Sequence, residues 1–236
     1  MSRPEDTENN SDGNIPAAVV WDLDGTLVES APDLANALNA ILAEKGLAPR
    51  SVDAVRMMIG AGVPKLIERG FRAAGAPLDE AELNAVVPRF MERYLACATD
   101  NTYLIDGARD VLEHCRLAGL DQGLCTNKPE AVTRKILAKL GVDHYFGCVI
   151  GGDSTPARKP DPLPLLTCLE GLGTSPAKAV MVGDSGADVG AAKAAGVRIL
   201  LVPDGYTGVA PESLGADRVV ENLADVPRHM SVPGPH

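Results

Sequence analysis

Short, uniformly apolar runs alternate with amphipathic stretches along most of this chain. Residues 17–21 read Ala-Ala-Val-Val-Trp, without the every-second-residue alternation of a half-exposed strand. Such a run suits a strand buried on both faces of a parallel sheet. Residues 120–125, 146–150, 179–182, 197–202 and 218–220 read as further strands. Helical patterns lie between them. Residues 110–117 stop at Gly119. Residues 129–140 set Val132, Ile136, Leu137 and Leu140 on one face and stop at Gly141. Residues 162–172 group Leu165, Leu166 and Leu169, and the Ala-rich 188–195 stop at Gly196. The alternation predicts an α/β fold, a doubly wound, Rossmann-like parallel sheet whose ligands sit at the carboxyl ends of the strands.

One stretch breaks the alternation. Residues 31–100 carry helix signals and no strand pattern. Ser30, Pro32 and Asp33 form a helix start, and Leu34, Leu38, Ile41 and Leu42 make an apolar face closed by Gly46. Residues 52–59, 63–71 and 79–94 predict three more helices. The last aligns Leu83, Val86, Val87, Phe90 and Tyr94, with Pro88 inside it predicting a kink or break. The reading is an all-helical cap over 31–100, inserted after the first strand of a core made of 16–30 and 101–225. Residues 1–15 are polar, without an apolar segment, and predict a disordered leader rather than a signal peptide. The proline-bearing 226–236 predict a frayed tail.

Composition narrows the class. Aromatic residues are 3% and hydrophobic residues 45% of the chain, so packing rests on Ala, Val, Leu and Ile. The net charge of −10 argues against nucleic acid and anionic membranes as partners. The odd count of five cysteines, none in C-x-x-C spacing, and four histidines without ligand spacing predict isolated thiols in a cytoplasmic protein, not a disulfide frame or zinc site.

The polar clusters that follow the strands carry the chemistry. Asp22-Leu23-Asp24-Gly25-Thr26-Leu27 leaves the first strand with two carboxylates at i and i+2, which can point to one side and hold a hard cation such as Mg2+. A plain turn uses the same residue types. Thr126-Asn127-Lys128-Pro129 offers a hydroxyl and main-chain amides to an anion such as phosphate, or simply caps a helix. Lys159, between Arg158 and Pro160, offers a fixed ammonium; alone it reads equally as a surface lysine. Gly183-Asp184-Ser185-Gly186-Ala187-Asp188 ends a buried strand with carboxylates at i and i+4, either a metal site or an acidic first turn.

An acid pair, a hydroxyl, a lysine and a second acid pair, in that order and each at its own strand end, resemble the four motifs of the haloacid dehalogenase superfamily over residues 17–223. The helical insertion resembles its C1-type cap. The resemblance implies a magnesium-dependent phosphatase of a small phosphorylated substrate, a monomer or homodimer. It implies Asp22 as nucleophile and Asp24 as acid and base. Magnesium would be held by Asp22, the Asp24 main-chain carbonyl and Asp184; Thr126, Asn127 and Lys159 would take the phosphoryl oxygens; Asp188 would orient Lys159 or a metal-bound water. Residues 22–34, Cys125 to Pro129, Gly151-Gly152-Asp153 and Arg158 to Pro162 look most like the phosphoglycolate phosphatase branch. Trp21 replaces the usual Phe, Glu29 stands where Asp is commoner, and Ile59-Gly60-Ala61-Gly62 lacks the Asn often found between those glycines. The last departure bears on substrate identity. Gly60 and Gly62 bring main-chain amides near a ligand, with Arg56 and Lys65 as candidate cations; an exposed helix face accounts for both cations as well. The rival readings are a dehalogenase, which the resemblance gives an aromatic residue at position 24, a sugar-phosphate mutase, a nucleotidase, an amino-sugar phosphate phosphatase, and a non-catalytic binding module.

Overall fold

The structure, a computed structural model, describes residues 15–232. Strand β1 (Ala18–Trp21) leads through β2 (Val28–Glu29) into four helices: α1 (Ala31–Glu44), α2 (Val52–Arg56), α3 (Val63–Ala73) and α4 (Glu80–Cys97). The chain returns as β3 (Tyr103–Leu104) and then alternates α5 (Ala108–Leu117), β4 (Asp121–Cys125), α6 (Glu130–Leu140), β5 (Cys148–Ile150), α7 (Leu163–Gly171), β6 (Ala179–Gly183), α8 (Gly186–Ala195), β7 (Arg198–Leu201), β8 (Arg218–Val219) and α9 (Val226–His229).

Six strands form one parallel sheet in the order β5-β4-β1-β6-β7-β8. The apolar runs are continuous because both faces of the sheet are covered. Val19, Trp21, Leu124 and Val182 pack on one side with Val111 and Leu112 of α5 and Ile136 of α6. Val20, Cys125, Met181 and Ile199 pack on the other with Leu165 and Cys168 of α7 and Val189 of α8. Trp21 is fully buried and donates from Nε1 to Gln122 Oε1 at 3.0 Å, so its polar edge has a partner. The chain winds from β1 through β4 to β5, then crosses to β6 on β1's other flank. This is the strand-order switch beside which a cleft opens.

Between β2 and β3 the chain is helical, and α1 packs mainly against α4 and α2. Asp33, buried in the first turn of α1, accepts from the main-chain N–H of Asn101 (3.0 Å) and Thr102 (2.9 Å) and from the Thr102 hydroxyl (2.8 Å). It thereby ties the start of the helical segment to its end. A carboxylate with this many donors is well compensated for burial.

Two expectations need correction. Of the kink or break expected at Pro88, the break is absent: helix α4 continues through it; an Asp79–Glu82 capping box starts it, and buried Val86, Phe90 and Tyr94 hold both sides of the proline. The tail does not fray at 226, because Val226 and Pro227 of α9 and Met230 just after it are buried. The two-residue pair β2–β3 lies just outside residues 31–100 and joins the two ends of the helical segment. The leader, residue 15 apart, lies outside the described residues.

Candidate active site

Asp22 and Thr126 stand at strand ends because their main-chain amides still join the ladder: Asp22 N–H donates to Val182 O at 2.8 Å and Thr126 N–H to Ile150 O at 3.0 Å. Their side chains therefore project where the sheet stops. Asp22, Asp24, Thr126, Asn127, Lys128 and Lys159 line one cleft, with Gly60 and Gly62 of the α2–α3 loop opposite on the helical side.

Lys159 is buried, and its ammonium lies 2.7 Å from Asp22 Oδ1, 2.6 Å from Asp188 Oδ1 and 2.6 Å from Cys125 O. Burial works against its charge, but Asp188 and Asp22 hold its pKa above the usual lysine range. The other oxygen of Asp188 accepts from the Ser185 N–H (3.0 Å) and hydroxyl (2.6 Å). Both oxygens of Asp188 thus have protein donors. Asp184 accepts the Tyr206 N–H at 2.6 Å on Oδ2 and the Thr26 hydroxyl at 3.5 Å on Oδ1. Gly25, at φ 82°, lets the first loop press on this carboxylate: a Cβ there would meet Asp184 Oδ2 at 2.6 Å.

Carboxylate oxygens of Asp22, Asp184 and Asp188 lie within 4.8 Å of one another. Burial raises the Asp22 carboxyl to about 6, against the pull of Lys159 and helped by the charge of Asp188. Burial also raises Asp184 well above the usual carboxylate range, with Asp22 and Asp188 adding to it. Three buried acids face one ammonium, an excess of negative charge on hard oxygen donors. That donor set fits a divalent cation.

The remaining candidates separate. Asn127 gives its side-chain amide to Gly60 O and Lys159 O, both at 2.9 Å, so this side chain braces the loop across the cleft and has no amide proton left for an anion. Arg56 pairs with Glu29 and Asp53, each at 2.9 Å, and Lys65 with Glu68 at 2.6 Å. Neither cation lines the cleft; nearby carboxylates already engage both. Gly60 (φ 104°) and Gly62 (φ 85°) do line it.

Sequence reading passed over three residues. Lys128 is buried beside Asp24, 2.8 Å from its Oδ1. The Tyr94 hydroxyl oxygen of α4 accepts from that ammonium at 2.6 Å. Tyr206 receives the Ser30 N–H at 2.8 Å and donates to Glu29 Oε1 at 2.7 Å, joining the Asp184 loop to the start of α1. Lys128 had one visible signal, its place two residues after Thr126 at a strand end.

A parallel sheet that gathers acids and a buried lysine at the ends of β1, β4 and β6 defines a hydrolase class. The family model described as haloacid dehalogenase-like hydrolase matches residues 16–196, and the chain belongs to that family. Among its relatives, the phosphoglycolate phosphatase of Caulobacter vibrioides is 43% identical over 212 residues, 90% of each chain. That of Rhodospirillum rubrum is 40% identical over 225 residues, 94% of this chain and 93% of its own. A crystal structure described as a predicted phosphoglycolate phosphatase from Haemophilus somnus superposes with a TM-score of 0.85 at 30% identity, covering 92% of this chain and 98% of the other. Among the described residues no helix is long and apolar enough to cross a membrane.

Proposed function

We propose that this chain hydrolyses 2-phosphoglycolate to glycolate and phosphate, with Mg2+, through a phosphorylated Asp22. The observation that carries the reading is the environment of Asp22. Lys159 takes its Oδ1, and no described residue donates to Oδ2, which leaves one oxygen for attack. The name shared by relatives about 40% identical over most of the chain supports the substrate.

Asp22 Oδ2 forms a bond to phosphorus as the bond from phosphorus to the leaving oxygen breaks, and Asp24 gives that oxygen its proton. Water then attacks the phosphorylated Asp22, Asp24 takes a proton from it, and phosphate leaves with the carboxylate restored. Lys159 and the Thr126 hydroxyl neutralise and orient the phosphoryl oxygens. Asp188, with its donors fixed, holds Lys159 in place. Asp22, the Asp24 main-chain carbonyl and Asp184 would hold the magnesium, which supplies positive charge between the two anions that must meet. The helices α1–α4 act as a cap: the 59–62 loop closes on the substrate's non-phosphate end and excludes water. Main-chain amides at Gly60 and Gly62 suit a carboxylate there.

Initial rates on a panel of small phosphates, with Asp22→Asn as control, test this. Phosphoglycolate should give the highest kcat/KM, and the variant should be inactive. An Asp22→Asn protein within tenfold of wild type overturns the mechanism; a better substrate in the panel overturns only the choice of substrate.

A further inference from the structure

Lys128 has no part in the chemistry above, yet its side chain is only 2% exposed. A buried ammonium costs several kcal/mol unless it is paired and hydrogen-bonded. Its Nζ lies 2.8 Å from Asp24 Oδ1, 2.6 Å from Tyr94 Oη and 3.5 Å from Ser30 Oγ, and 4.9 Å from the centre of the Tyr94 ring. Three donors meet three partners, so none is left over for a substrate. Ser30 Oγ also donates to Asp24, again to Oδ1. No described residue donates to Asp24 Oδ2. The carboxylate is therefore pinned by one oxygen and presents the other to the cleft.

We propose that Lys128 is a positioning residue for Asp24: with Ser30 it fixes Oδ1 so that Oδ2 faces the leaving oxygen, and Tyr94 of the helical segment holds the ammonium in place. The site then has two buried lysines with separate duties, Lys159 on the nucleophile and Lys128 on the proton carrier. A carboxyl misplaced by an ångström transfers a proton poorly although every reacting group is present. The proposal rests on Asp24 being that proton carrier.

The test uses the full chain with magnesium and two aryl phosphates of similar shape, phenyl phosphate and 4-nitrophenyl phosphate. Neither carries a carboxylate, and only the phenolate needs a proton to leave. The readout is kcat/KM, which reports steps up to departure of the leaving group. Lys128→Met should lower kcat/KM at least about tenfold more for phenyl phosphate than for 4-nitrophenyl phosphate, part of the 10²–10⁴ that general acid catalysis supplies. Tyr94→Phe, which keeps the ring and the ion pair, should show a smaller loss of the same selectivity and covers the case in which Lys128→Met fails to fold. Lys128→Arg should recover part of it. On an Asp24→Asn background, Lys128→Met should add less than about twofold, because both act through one group. Equal losses on the two substrates, or a full multiplicative loss on that background, overturn the proposal while a selective Asp24→Asn leaves the mechanism standing. An Asp24→Asn that loses both activities equally removes the mechanism and the proposal together.

Discussion

Replacing Asp22 should make the metal-free protein more stable. Burial lifts the Asp22 carboxyl from 3.8 to about 6, so folding costs the ionised form about 3 kcal/mol at 1.36 kcal/mol per pH decade. The folded-state value is the raised one, which fixes the sign. Below about pH 4 the group is protonated in both states and nothing is lost. As pH rises from about 4 to 6 the unfolded chain releases the proton while the folded chain keeps it, and stability falls; above about pH 7 the loss is complete. Asn at position 22 never ionises and still offers Lys159 an oxygen. In excess chelator, Asp22→Asn should match wild type near pH 4 and exceed it by about 3 kcal/mol near pH 8, a gain of roughly 6–12 °C in Tm for a chain of this size. Urea unfolding followed by circular dichroism at several pH values measures the difference. Added magnesium should narrow the gap, because only the wild type has the full set of charged ligands to bind it. A difference that does not change with pH, or a variant less stable than wild type near pH 8, refutes the argument.

Excess chelator should abolish turnover and magnesium should restore it, since Asp22 and Asp184 lie among three acids facing a single lysine; full activity in chelator contradicts the metal assignment. Gly60→Val and Gly62→Val force β-branched side chains into φ of 104° and 85°. Steady-state kinetics should show kcat/KM falling about tenfold or more on phosphoglycolate and much less on 4-nitrophenyl phosphate, which needs little from this loop; parallel losses mean that the loop is a lid without selectivity. Tyr206→Phe leaves the buried Ser30 N–H without its 2.8 Å acceptor and should cost about 1–3 kcal/mol in urea melts, whereas a change under about 0.5 kcal/mol would mean that water replaces the hydroxyl.

The parallel sheet could be read from the sequence because burial on two faces leaves unbroken apolar runs such as 18–21 and 179–183. The acids could be read because they follow such runs, and Lys159 because it sits in the connection after another run, flanked by Arg158 and Pro160. Strands β2 and β3 have two residues each, too few to show any period. Pro88 does not break its helix because a helix's tolerance for proline depends on what packs around it, here Val86, Phe90 and Tyr94, and not on the local sequence. Lys128 stayed hidden for a similar reason. Lysine is ordinarily a surface residue, and what permits its burial is Asp24 and Tyr94, both remote in sequence. Arg56 and Lys65 were plausible substrate ligands by position, but carboxylates already engage them, Glu29 on Arg56 and Glu68 of the same helix on Lys65.

The Asp33 clamp has a consequence for how such a chain can diversify. Because Asp33 grips Asn101 and Thr102, the helical segment departs and returns through one doorway, and its two ends stay fixed relative to each other whatever lies between. Helices could be lengthened, shuffled or grafted from another protein without disturbing the registry of the sheet, provided that this grip is kept. A chimera that retains residues 28–34 and 99–105 of this chain around a foreign helical bundle is therefore the natural unit for transplanting selectivity, and the clamp marks where to cut.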